Sequence, residues 1–125
     1  MQALRSGISI VLALAPVIVS AAPVSYSCNY TTYSDSDGRH RVTEEFKLTF
    51  IVDTSARKAY MIGNNGTAEL QIVRNTDGVT LIEVTASGNV MVTAIARNGS
   101  SVHSRSTMIS EDIVPSQYYG KCVAK

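Results

Sequence analysis

Between Val79 and Ile109, apolar and polar side chains alternate in three runs, VTLIEVTA, VMVTAIA and SVHSRSTMI, interrupted by SGN and RNGS. In the first run Thr80, Ile82, Val84 and Ala86 share one side of an extended chain and Leu81, Glu83 and Thr85 the other, the period of two that a half-buried strand requires. Gly88 with Asn89, and Asn98 with Gly99, tolerate positive φ, so both interruptions predict short hairpin loops and the whole stretch an antiparallel meander.

The same period appears upstream. Val24, Tyr26, Cys28 and Tyr30 alternate with Ser25, Ser27 and Asn29, predicting a first strand with its aromatic face and cysteine inward. Ser34-Asp35-Ser36-Asp37-Gly38 is a loop by composition. Its aspartates resemble the start of a calcium loop, but His40 and Phe46 stand at the sixth and twelfth positions where Gly and Glu are needed, so it reads as a solvated turn. Phe46, Leu48, Phe50 and Val52 alternate with Lys47, Thr49 and Ile51, predicting a core strand that ends at Asp53-Thr54-Ser55. Lys58 to Ile62 and Ala68 to Val73 flank Gly63-Asn64-Asn65-Gly66, a further hairpin over an Asn-Gly turn. Turn signals recur about every 10 residues, the spacing of an all-β protein, so the prediction is a small antiparallel β-barrel or sandwich of about seven to eight strands. From residue 22 onward no apolar period of 3.6 is sustained, so no helix longer than a turn or two is expected there. The segment from Glu111 to Gly120 contains Pro115 and Gly120, residues that strand interiors exclude, and predicts an irregular wrap across the sheet.

The start of the chain breaks the pattern. Arg5 is followed by an apolar run from Ile8 to Val19 and by Val19-Ser20-Ala21, the signature of a secretory signal peptide cleaved after Ala21. The run is shorter than the roughly 18 residues that span a bilayer, so residues 1–21 are expected to be removed and residues 22–125 to form a single β domain, periplasmic or secreted, with no stable membrane insertion. Cys28 lacks the small apolar residues of a lipoprotein box before it, and the mature chain is expected to be free. An exported chain with two cysteines near opposite ends predicts one disulfide, Cys28 to Cys122, with about 4 to 5 kcal/mol of stabilisation in the chain-entropy view. Neither cysteine has the CxxC spacing of a redox pair.

Charge narrows the function classes. The full chain carries 11 basic and 10 acidic residues, and loss of Arg5 leaves the mature chain formally neutral with its cations scattered, which argues against nucleic acid. There is no GxSxG elbow, phosphate-cradling glycine loop or HExxH helix, and two separated histidines leave too few ligands for zinc; no cofactor, metal or catalytic residue is expected. The remaining candidates are binding residues. His103 and Arg105 share a strand face about 7 Å apart at Cα, a spacing suited to a carboxylate or phosphate; the bland alternative is a pair of solvent-facing charges on an edge strand. Ser104 and Ser106 face away, which disfavours a Ser-His couple made from neighbours. Tyr118 and Tyr119 offer aromatic contact surface, or one packs beneath the tail while the other is exposed.

The segments GNNGTAEL, TLIEVTASGNVMVTAI, SVHSRSTMI and PSQYYGKC, spread over most of the chain from Lys58 to Cys122, resemble a group of small exported alphaproteobacterial proteins of uncharacterised activity. That resemblance implies a periplasmic or secreted bacterial protein and no particular reaction. A looser similarity is to the periplasmic β-barrel inhibitors of c-type lysozyme, which share a signal, a terminal-to-terminal disulfide and a Ser-Gly turn. Ser87-Gly88 matches that turn, but Asn89 and Val90 stand where an aromatic should follow, so the inhibitory residues are not carried over. The expected function is a non-enzymatic binding module for an envelope protein or small ligand. A structural envelope component, an inhibitor of an envelope-degrading enzyme and a small enzyme using His103 are the alternatives.

Overall fold

The computed structural model describes residues 7, 9, 10, 12, 13, 22–63 and 66–125. The predicted cleavage point after Ala21 and the turn residues Asn64 and Asn65 lie outside the described residues. Eight strands follow one another in order: β1 (Val24–Asp35), β2 (Gly38–Asp53), β3 (Lys58–Gly63), β4 (Gly66–Asn75), β5 (Gly78–Val84), β6 (Val90–Ala96), β7 (Ser100–Ile109) and β8 (Asp112–Ala124). Each pairs antiparallel with its sequence neighbour, and β8 returns to β1, closing an up-and-down barrel. Closure resolves the choice between barrel and sandwich and leaves no edge strand.

Period-two parity places the core. Cys28 and Tyr30 of β1, Leu48, Phe50 and Val52 of β2, Ala59, Leu70, Val79, Leu81, Ile95 and Cys122 converge on the lumen. The barrel is therefore packed through its middle, chiefly with apolar side chains, with Thr93, Ser101 and His103 buried beside them. Cys28 and Cys122 sit directly opposite each other across the β1–β8 seam and form the disulfide, 94 residues apart. A structural disulfide of this kind fits an oxidising compartment outside the cytoplasm. No helix of the described residues is long and apolar enough to cross a membrane.

The tail departs from expectation. In place of an irregular wrap, β8 is a continuous strand of 13 residues, paired with β7 from Asp112 to Lys121 and with β1 from Gln117 to Ala124. Pro115 is accommodated because it pairs with Ser106 of β7 beyond the last β1–β8 pair, Ser34 with Gln117, where only one neighbour remains. Gly120 is needed rather than disruptive. A Cβ there would collide with the carbonyl oxygen of Asn29 and come within 2.7 Å of Tyr30 Cα, beside the register shift in β1 between Tyr30 and Thr32. The predicted loop at Ser34 to Gly38 also shrinks, since Asp35 pairs with Gly38 and Ser36-Asp37 alone form the turn.

Strand lengths are unequal at one end. Pairing of β2 with β3 begins only at Thr49, while β1 and β2 stay paired out to Asp35 with Gly38. Likewise β6 leaves β7 at Ser106, while β7 and β8 stay paired to Ile109 with Asp112. Two hairpins thus rise above the rim on one side. The tip of the β7–β8 hairpin is Ser110-Glu111, with φ of 50° and 69°, the left-handed region that a two-residue hairpin turn demands and that L side chains adopt at a cost of about 1–2 kcal/mol each. Ser110→Asn with Glu111→Gly is expected to raise stability by about 1 kcal/mol, read as a higher urea midpoint.

Candidate functional site

The rim below the projecting hairpins surrounds a cavity of about 540 Å³. Its walls are the inward residues at that end of the strands: Phe46 from β2, Met61 from β3, Glu83 from β5, Met91 from β6 and Arg105 from β7. Glu83, Met91 and Arg105 form one row, since Glu83 pairs with Met91 and Met91 with Arg105. A larger cavity of about 700 Å³ lies at the opposite end, around Val52, Val79 and Ile95. Its arginines, Arg74 and Arg97, are exposed, and Arg97 is hydrogen-bonded to the Thr76 carbonyl, so the smaller cavity carries the more specific chemistry.

His103 is not a surface residue of an edge strand. It is 1% exposed, inside the barrel, because β7 is flanked by β6 and β8 and its odd-numbered positions Ser101, His103 and Arg105 face the lumen. Arg105 Nε–H donates to His103 Nε2 at 3.0 Å, which leaves the ring proton on Nδ1 to donate to Thr93 Oγ1 at 2.7 Å. Both ring nitrogens are occupied. Burial first, and the charge of Arg105 second, push the His103 pKa down to about 4 from an ordinary 6.5, so the imidazole is neutral at physiological pH.

That depressed value has a sign. Between pH 6.5 and 4 the unfolded chain binds a proton at His103 that the folded chain does not, so stability is fully present above about 6.5 and is lost as pH falls toward 4, by roughly 3 kcal/mol in all. Urea unfolding at pH 7, 5.5 and 4 should show this loss, and His103→Gln should flatten it. Asp35 is also held below its usual range, chiefly by the hydrogen bond from His40 at 2.8 Å, and adds its loss only at still lower pH.

Arg105 is the centre of the arrangement. Its guanidinium carbon lies 5.2 Å from the Phe46 ring and 5.4 Å from the Tyr118 ring, two cation–π contacts made by rings that stack on each other at 4.7 Å. Tyr33 extends the stack at 5.3 Å from Tyr118, and His40 follows at 4.9 Å from Tyr33. With Nε bound to His103 and its face against the rings, the guanidinium is fixed. Its terminal nitrogens have no protein hydrogen-bond partner among the described residues. A fixed planar fork with free donors suits a carboxylate or another oxyanion.

Of the four predicted binding residues the structure brings three together: His103, Arg105 and Tyr118. Tyr119 has the opposite parity and lies outside the barrel, its hydroxyl donating to Gln117 Oε1 at 3.0 Å and its ring beneath Arg39 at 5.2 Å. Ser87 is exposed in the β5–β6 loop at the same end of the barrel, with its hydroxyl bonded to Thr85 and Asn89. Sequence reasoning missed Glu83 and Thr93. The signal for Glu83 was its shared parity with Val79 and Leu81, which puts a carboxylate on the buried side of β5.

No protein family matches the chain, and no curated protein does.

Proposed function

We propose that the protein is an exported, non-enzymatic binding module, periplasmic or secreted, that takes its ligand at the rim around Arg105. The observation that carries this reading is the fixed guanidinium, held by His103, Phe46 and Tyr118 while its terminal donors face an open cavity. Pre-organised groups bind with less ordering cost than mobile ones. Binding rather than catalysis is supported by His103, whose two ring nitrogens are already bonded and whose role is to position Arg105. Removal of residues 1–21 is supported by the sequence itself, in which Arg5, the apolar run from Ile8 to Val19 and the small residue Ala21 follow one another in the order of a cleaved signal.

A second reading, a structural envelope component, is favoured by the projecting β7–β8 hairpin, where Met108 and Ile113 pair on the outer side and are 65% and 62% exposed. One experiment separates the two. Oxidised residues 22–125 are incubated with native envelope extract, and retained proteins and small molecules are read by mass spectrometry beside Arg105→Gln and Met108→Ser/Ile113→Ser. A species retained by the wild type and lost only with Arg105→Gln supports the rim site. Loss only with the hairpin variant supports the structural reading, and equal retention by all three sinks the rim site.

A further inference from the structure

We propose that the rim is a zwitterion site, binding a small molecule with a carboxylate at one end, on Arg105, and a primary ammonium at the other, on Glu83. This deepens, and rests on, the reading of the rim as a binding site. Glu83 Oε2 is buried and has no hydrogen-bond partner among the described residues. A buried acceptor left unmade costs about 1–3 kcal/mol and more when charged, so in native proteins such an atom calls for a partner that the protein alone does not supply. Arg105 could have supplied it and does not. The two residues line the same cavity without an ion pair between them, and the guanidinium leans instead onto Phe46 of β2 and Tyr118 of the neighbouring β8, away from β5. Lys47, the other cation on the cavity wall, is paired with Glu45 at 2.8 Å.

The two free charges are thus opposite in sign and separated. Arg105 and Glu83 lie two strands apart, roughly 10 Å between Cα atoms, with Met91 between them in the row. Water alone could hydrate either group. The apolar wall of Met61, Met91 and Phe46 favours instead one molecule that brings both counter-charges on a short carbon chain. A ligand with a single charge would leave the other group unmatched, which is how such a site would discriminate.

The test is a ruler of ω-amino acids: glycine, 4-aminobutyrate and 6-aminohexanoate, each titrated calorimetrically into oxidised residues 22–125 beside acetate, butyrate, hexanoate and hexylamine. One length of zwitterion is expected to bind at least tenfold more tightly than the carboxylate or amine of matched length. Glu83→Gln and Arg105→Lys should each lose that advantage. Glu83→Gln should also raise the melting temperature of the ligand-free protein, an effect opposite to that of losing a structural contact, and this separates a ligand-facing role from a folding one. Carboxylates that bind as tightly as the zwitterions, unaffected by Glu83→Gln, would overturn the zwitterion while leaving an anion-binding rim. Absence of binding by every length would also overturn it, and the envelope-extract experiment would then judge the wider reading by itself.

Discussion

Cys28→Ala with Cys122→Ala, or reduction of the wild type, is expected to destabilise the fold by about 4 to 5 kcal/mol, the chain-entropy value for a loop of nearly a hundred residues. Against a total of about 5–15 kcal/mol for a domain, that is a large share. Location adds to the effect. The disulfide joins paired residues of β1 and β8, the two strands whose pairing closes the barrel, and both sulfurs are shielded in the core. At an m-value of about 2 kcal/mol/M the urea midpoint should fall by roughly 2 M. A fall of only a few tenths would mean that closure does not depend on the bond.

Gly120→Ala should be the most damaging single methyl addition in the chain. The new Cβ would strike the carbonyl oxygen of Asn29 and crowd Tyr30 Cα, both backbone atoms that no rotamer change can move. β1 and β8 must then separate at that point, with a loss of about 3 kcal/mol or more. Lys121→Ala, on the neighbouring exposed position, is the control and should stay within about 0.5 kcal/mol. Because Gly120 and the disulfide act on one seam, their effects should not add independently. Hydrogen exchange of the β1 and β8 amides in Gly120→Ala, compared with those of β4 and β5, would localise the damage.

These two sites also mark how far the letters could be read. The strands from Phe46 to Ile109 and the start of β1 were legible because their alternation is regular and their turns carry Gly, Asn and Asp, whereas the far end of β1 and the first half of β2, from Thr31 to Glu45, were not. β8 was not, because Pro115 and Gly120 ordinarily signal breaks. One is tolerated where β8 outruns β1, and the other is required by a close backbone approach, facts of register rather than of composition. The His103 and Arg105 pair was found from its spacing, but its side of the sheet was not. Two polar residues suggest a solvent-facing edge until closure gives β7 a neighbour on each flank. In β5 both parities are largely apolar, Val79 and Leu81 against Ile82 and Val84, so the parity that Glu83 shares with Val79 and Leu81 became decisive only once those two were seen to be the buried pair. Tyr118 and Tyr119 differ by one position and end on opposite sides of the wall, a distinction fixed only by pairing with His103.

The seam between β1 and β8 sets the order in which the protein can be completed. β1 gains its partner β2 at once through a two-residue turn, but Cys28 meets Cys122 only after 94 further residues have been delivered. Until then the nascent sheet has two open sides, one of them the backbone of Tyr26 to Ser34 that β8 will later cover, a template for pairing with another chain. Cys122 must therefore have been delivered before the bond can form, and the thiol of Cys28 stays unpaired throughout that interval. Formation of the bond is thus the final assembly step, sealing the barrel where β8 docks on β1.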